Sequence, residues 1–368
     1  MSVQAKEINL EWGALQRALD RPDVLGAGGP VRPERWLEAF PRDLAEKLAQ
    51  GHKELAGTTC EVRLRIGQPL TMAGPWRQIY WRRQGWLDYP PAGEPLADAG
   101  EVFTDEELER LWLRITGGSQ YRLETELRGG YLTLPGGHRL GFCGRAVTED
   151  GRLKTMRDIS YLNLRLARQI KGTLTPWLPW LQSGGEWRSC LVIGPPLSGK
   201  TTLLRELVRL ASTGVDLGQD GIVSGVNVSL VDERSELAGA WQGQAQFDLG
   251  PRTDVLDACP KAEGMLLAIR SMGPQILAVD EIGGAGDLAA LETALVCGVK
   301  VFATAHGGSL EEISRRPGLK ALLGQGLFDR LALLGRQGPR GKRDIVILDG
   351  RTLAPINGQR REEGGGYA

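Results

Sequence analysis

The sequence predicts an α/β protein: a C-terminal domain with a predominantly parallel sheet, preceded by a smaller α+β domain. Three observations carry that expectation. From residue 190 onward, short apolar runs alternate with loops and helical stretches, as in a parallel sheet. Upstream of residue 171, strand-like stretches are short and broken by glycine, beside two helical stretches. Between them, 172–186 is rich in proline, tryptophan and glycine and reads as a linker packed against something.

The chain has 368 residues and 41% apolar content, enough for two buried cores. The expected organisation is a weakly ordered 1–30, an α+β domain over 31–171, the linker 172–186, a larger domain over 187–350 and a flexible tail over 351–368. Within the first domain, 34–50 has helical periodicity despite Pro41, and 60–66 (CEVRLRI) alternates apolar and charged residues as a half-buried strand does. The stretch 89–100 (YPPAGEPLADAG) has loop composition. Thr104 and Glu107 form a capping-box pattern that opens a helix with Leu108, Leu111 and Ile115 on one face. Short strands are expected at 131–134, 139–142 and 145–148, separated by glycine turns.

Lys plus Arg and Asp plus Glu number 45 each, so no net field draws the chain to nucleic acid or an anionic membrane. The five cysteines (Cys60, Cys143, Cys190, Cys259, Cys297) have no metal-ligand spacing and fit a reducing compartment. The start, MSVQAKEINLEW, is charged where a signal peptide needs an apolar core, and no apolar run reaches the length of a membrane span. A cytoplasmic chain is expected, with no direct membrane insertion.

The chemistry concentrates after residue 190. Residues 190–193 (CLVI) fit a buried strand, and Gly194-Pro195-Pro196-Leu197-Ser198-Gly199-Lys200-Thr201 matches GxxxxGK[ST], with Thr202 opening a helix to residue 210. Such a loop turns backbone N–H groups toward a β-phosphate. Its lysine reaches the β and γ oxygens, and its threonine offers a hydroxyl to Mg²⁺. Residues 276–279 (ILAV) end in Asp280 and Glu281, suited to holding Mg²⁺ through a water and to polarising an attacking water. That pair favours ATP hydrolysis over phosphoryl transfer to a small molecule. Two further strands end in polar groups at the same edge: 228–231 in Asp232-Glu233-Arg234, and 299–303 in Thr304-Ala305-His306. His306 is either a γ-phosphate sensor or a strand-end cap.

Taken together, GPPLSGKTTLLREL, LVDERSELAG, GPRTDVLDACPKAEG, AIRSMGPQILAVDEIG and VFATAHGGS resemble the RecA-like P-loop NTPase domain of the ATPases that drive type II and type IV secretion and pilus machines. Within that group the likeness is to a branch from endospore-forming bacteria, and it runs from Cys60 to Leu322. The resemblance implies that Asp232-Glu233 is an Asp box, Asp280-Glu281 a Walker B site and Thr304-Ala305-His306 a His box. It further implies ATP and Mg²⁺ as cofactors and a homo-oligomer, by analogy a hexameric ring. Its partners would be membrane proteins of the stage III sporulation channel complex, with the chain peripheral to that complex in the mother cell. Activating arginines are expected near the linker, the candidates being Arg157, Arg165 and Arg168, with Arg252 as a further one. Asp280 stands where such ATPases often carry glycine, and the zinc-binding cysteines of many of them are absent.

Two other readings compete. Gly141-Phe142-Cys143-Gly144 before Arg145 has the GxxG form of a backbone-phosphate clamp, which would suit a nucleic-acid-binding ATPase. With no basic or aromatic stripe beside it, the loop reads instead as a hairpin turn, and nucleic acid is not the expected partner. A module that binds ATP only as glue would have no need of Glu281.

Overall fold

The structure, a computed structural model, describes residues 35–83, 85–90, 101–116, 130–149, 151–196, 198–218, 221–241, 243–335 and 345–356. The N-terminal segment, 91–100 of the expected loop, Leu197 and the tail beyond 356 lie outside the described residues. The chain divides into two compact units: Pro30–Arg168 with Gly239–Gln242, and a second made mainly of Gln169–Ala238 and Gly243–Ala368.

The first unit opens with a 3-10 turn, Arg35–Ala39, followed by α1 (Arg42–Glu54). The single helix expected over 34–50 is therefore two elements. Pro41 has no N–H to continue a helix, and it stands at the N-cap of α1 with φ −54° and ψ 149°. Next come β1 (Glu61–Arg65), β2 (Thr71–Ala73), β3 (Gln78–Arg82) and β4 (Gly85–Asp88). In α2 (Asp105–Thr116) the capping box is formed. The Glu107 N–H donates to Thr104 Oγ1 at 3.2 Å, and the Thr104 N–H donates to the Glu107 carboxylate at 2.9 Å.

Three strands complete the unit: β5 (Tyr131–Leu134), β6 (His138–Glu149) and β7 (Arg152–Arg165). The sheet runs β4-β3-β2-β1-β7-β6-β5, antiparallel at each pairing. The two strands expected at 139–142 and 145–148 are thus one strand, and Gly144 makes no turn. The register shifts there between Cys143 and Arg145, and a Cβ on Gly144 would lie 2.5 Å from the Arg157 carbonyl oxygen. Strand alternation then sorts the side chains. Val62, Leu64, Leu132, Leu140, Phe142, Leu162 and Leu164 join Leu44 and Leu48 of α1 and Leu108 and Leu111 of α2 in one core.

In the second unit, the 172–186 segment folds into a 3-10 turn at Thr175–Trp177, α3 (Leu178–Leu181) and the hairpin β8 (Gln182–Ser183) and β9 (Glu186–Trp187). Leu174, Leu178, Leu181 and Trp187 are buried, so this stretch is part of the unit's packing. The main elements follow as β10 (Cys190–Gly194), α4 (Lys200–Thr213), β11 (Gly214–Asp216), β12 (Ile222–Ser224), β13 (Val228–Asp232), β14 (Thr253–Asp257), α5 (Lys261–Ser271), β15 (Ile276–Val279), α6 (Ala285–Val296), β16 (Lys300–His306), α7 (Leu310–Ser314), α8 (Pro317–Gly324), β17 (Arg330–Leu334) and β18 (Ile345–Asp349).

Their sheet order is β14-β13-β15-β16-β10-β17-β18, parallel throughout except for antiparallel β18. The inner strands are apolar on both faces, as helix-covered parallel strands must be: Leu191, Ile193, Leu277, Val279, Val301 and Ala303 are all fully buried. Each large aliphatic side chain buried in this way contributes roughly 1.5–3 kcal/mol. Parallel order brings the C-terminal ends of β10, β13, β15 and β16 to one edge, where polar side chains can converge. Among the described residues, no helix is long and apolar enough to cross a membrane.

Candidate nucleotide-binding site

The loop after β10 is held open by geometry that suits an anion. Gly199 takes φ +89°, a conformation that glycine enters without steric cost, and so points the loop into the first turn of α4. Lys200 is buried, and its Nζ donates to the Pro195 carbonyl at 3.0 Å across the base of the loop. Ser198 is buried too, and its Oγ has no hydrogen-bond partner. An orphaned hydroxyl, a buried ammonium and a helix N-terminus in one loop fit a phosphate group.

Beside this loop, Thr201 Oγ1 donates to Asp280 Oδ2 at 3.0 Å. The sequence separates these residues widely; the sheet order makes them neighbours. The other Asp280 oxygen accepts the Thr304 hydroxyl, and Thr304 Oγ1 in turn accepts the Glu281 N–H at 2.8 Å. Glu281 has φ +48°, in the left-handed region unusual for a side chain of its size. Its carboxylate is about half exposed and lies 3.7 Å from Arg234. Hydroxyl and carboxylate oxygens of this kind fit Mg²⁺, which usually takes one or two protein ligands with phosphate and water completing its shell. Among the described residues there is no cluster of three or more His, Cys, Asp or Glu placed to hold a metal.

Asp232 is engaged by its own loop. It is buried at the end of β13, and its two oxygens accept the N–H groups of Glu236 at 3.0 Å and Ala238 at 2.8 Å. Burial pushes its carboxyl above the usual carboxylate range, opposed by those N–H donors. With both oxygens engaged, Asp232 shapes the following loop, and Glu233 is the acid left partly exposed. Arg205 of α4 holds the same loop from the other side, through the carbonyls of Leu237 and Glu236 at 2.7 Å each. Lys261, the first residue of α5, donates to the Glu281 carbonyl at 2.8 Å and lies 3.4 Å from the Glu233 carboxylate.

His306 closes β16 in register with Gly194 and is exposed, with the Gly307 N–H donating to the Gly194 carbonyl at 3.2 Å. It therefore stands at the entrance of the loop, while Thr304 makes the strand's contact with Asp280. Arg252 does not stand there. It precedes β14, at the N-terminal edge of the sheet, and its guanidinium donates to the Ser212 carbonyl at the end of α4 at 3.0 Å. Arg168 is also committed within its own unit, donating to the Gly57 and Thr59 carbonyls at 3.2 and 2.7 Å.

Arg157 and Arg165 lie on β7 of the first unit, both exposed. Cross-strand partners share a face. Arg165 pairs with Arg139 and Glu61, Asn163 with Arg63, Tyr161 with Arg65, and Arg157 with Arg145. The Arg139 guanidinium lies 4.2 Å from the ring centre of Tyr131. Arg63, Arg65, Arg139 and Arg165 thus share a face with Tyr131 and Tyr161, with Glu61 paired to Arg63 at 2.6 Å. With Arg145 and Arg157 paired beyond the register shift, this is a basic, aromatic-bearing stripe, contrary to the expectation that none accompanies Gly141–Gly144. Its arginines are scattered over three strands, and only the pairing register assembles them.

Comparison with known proteins agrees with this architecture. Residues 43–351 match the family model described as sporulation stage III, protein AA. The stage III sporulation protein AA of Bacillus subtilis (strain 168) is 41% identical over 322 residues, covering 87% of this chain and 97% of that protein. The chain belongs to this family.

Solved structures sharing the fold of this family member include the Legionella pneumophila ATPase DotB (TM-score 0.50, 16% identity, 84% of this chain and 82% of that one). Another is the pilus retraction motor PilT with bound ADP (TM-score 0.52, 12% identity, 82% of each chain). Two residues that the motifs do not single out stand beside the groups of this site, Arg205 and Lys261, while Thr304, expected with His306 at the end of its strand, makes the contact with Asp280. Thr304 and Lys261 do carry a positional signal, since each lies at or just after the C-terminal end of a parallel strand.

Proposed function

We propose that the chain is a Mg²⁺-dependent ATPase that hydrolyses ATP to ADP and phosphate. It acts as a motor or gate at the base of the mother-cell to forespore channel complex of sporulation. The observation that carries this reading is the 3.0 Å hydrogen bond from Thr201 to Asp280. It joins the hydroxyl that follows the loop lysine to the strand-end carboxylate, the two groups that magnesium-dependent NTPases use around one ion. Bound there, Mg²⁺ would supply charge neutralisation on the β- and γ-phosphate oxygens. The loop 194–202 would hold the phosphates, Lys200 would offset their charge, and Glu281 would orient and polarise water for attack. Likeness in fold to DotB and to the ADP-bound pilus motor supports the same assignment.

Arg252 is held at the opposite edge of the sheet by the Ser212 carbonyl, so the guanidinium that spreads charge in the transition state is assigned to the first unit, Arg157 and Arg165 foremost. It would be delivered across a homo-oligomeric interface, by analogy in a hexameric ring. The protein is then cytoplasmic and peripheral, docked on membrane proteins of the channel complex. A direct test compares two variants. Lys200→Ala loses tight ATP binding, whereas Glu281→Gln binds ATP and does not turn it over. Equal loss of binding in both contradicts these roles.

The arginine and tyrosine stripe also favours a second reading, a nucleic-acid-stimulated ATPase. Single-stranded nucleic acid that raises turnover, with the effect lost in Arg145→Ala, would establish it in place of the first.

A further inference from the structure

Lys261 is placed against the electrostatics of its own helix. As the first residue of α5, after Pro260 at the N-cap, it puts an ammonium where the helix dipole favours an anion. Its contacts give the reason. The Nζ donates to the Glu281 carbonyl at 2.8 Å and stands 3.4 Å from the Glu233 carboxylate, with only 16% of the side chain exposed. The helix that carries it is seated closely on β13, since a Cβ on Gly264 would lie 2.7 Å from Val231 Cγ1. Lys261 is therefore held by packing rather than free to swing.

Its principal partner is unusual. Glu281 adopts φ +48°, a backbone state that persists only where the surroundings over-determine it. The N–H side is fixed by Thr304 Oγ1 at 2.8 Å and Asp280 Oδ1 at 3.0 Å. Lys261 is the donor on the carbonyl side. One ammonium thus ties the strand-end glutamate of β15 to the glutamate that follows β13, two acids from separate loops at one edge of the sheet.

We infer that Lys261 is a positioning residue for hydrolysis: it locks Glu281 in the conformation that aims its carboxylate and keeps Glu233 in register with it. The inference rests on the ATPase reading of the site. It assigns no contact between Lys261 and nucleotide, so its loss separates turnover from binding.

The test is steady-state ATP hydrolysis with Mg²⁺ by the full chain, alongside the affinity of a fluorescent ATP analogue and the thermal midpoint of each variant. Lys261→Met lowers kcat roughly tenfold or more while affinity changes less than about threefold, the signature of a misplaced catalytic group. Lys261→Arg, which keeps a charged donor, retains kcat within about threefold. If Lys261→Met fails to fold, Lys261→Gln serves with the same expected loss of kcat. A kcat within about twofold of the parent chain, or a loss that tracks affinity, overturns the role of Lys261 alone. Absence of hydrolysis by the parent chain overturns instead the ATPase reading on which it rests.

Discussion

Arg205 and Leu237 are joined by a 2.7 Å hydrogen bond from guanidinium to backbone carbonyl, linking the helix of the phosphate loop to the loop that follows β13. The guanidinium also lies 4.2 Å from the ring centre of Phe247. Burial lowers the pKa of Arg205, against the pull of the nearby acids Asp232 and Asp280. Arg205→Met strands two carbonyls and deprives buried Asp232 of a cation. It should cost about 2–4 kcal/mol of stability, with Arg205→Lys recovering only part. Urea denaturation midpoints check this, and an unchanged midpoint for Arg205→Met would contradict it.

Glu206 and Arg209 form a buried pair on the same helix, with bonds of 2.8 and 2.9 Å and side chains only 1% and 6% exposed. Glu206 also accepts the Gly172 N–H at 2.7 Å. Glu206→Gln leaves an under-compensated cation in the interior and should cost about 3–5 kcal/mol. Replacing both residues with Met should cost less than the sum of the single changes, read from a double-mutant denaturation cycle.

Much of this was legible beforehand, for identifiable reasons. The phosphate loop is contiguous, so Gly194 to Thr202 are visible as one motif, and the Thr104–Glu107 cap depends on residues within a single helical turn. Lys261, Thr304 and Arg205 act across strands or helices whose adjacency is set by the order β13-β15-β16-β10, and no local pattern encodes that order. Gly144 was ambiguous in kind, because glycine serves equally for a hairpin turn and for the close approach of Arg157 at a bulge. Arg252 is a candidate only by belonging to the phosphate-loop domain, and the Ser212 carbonyl at the opposite sheet edge occupies its guanidinium.

His138 gives the first unit a pH dependence. It is buried on β6, its Nδ1 accepts the Ala167 N–H at 3.1 Å, and burial pushes its pKa from 6.5 down to about 4. Since the folded-state value lies below the unfolded one, the unfolded chain takes up the proton first. Stability falls as pH drops through 6.5, and the loss is complete below about 4. At 1.36 kcal/mol per unit the full effect is about 3 kcal/mol. Denaturation midpoints between pH 7 and 4 check it, and His138→Asn should flatten that part of the profile while keeping an acceptor for Ala167.

The interface assignment predicts complementation. Lys200→Ala and Arg157→Ala proteins, each weakly active alone, should recover partial turnover when mixed, because some interfaces then pair an intact phosphate loop with an intact arginine. Particle mass in the presence of ATP and Mg²⁺ establishes whether the two co-assemble. No recovery in mixed particles would place the activating arginine elsewhere.

Release of ADP from ATP by the purified full chain, measured with Mg²⁺ and again with EDTA, tests the central claim most directly. The site built from Lys200, Thr201, Asp280 and Glu281 predicts slow turnover that requires the metal and disappears in Glu281→Gln. No ADP above the buffer rate, or the same rate in EDTA and in Glu281→Gln, would contradict it.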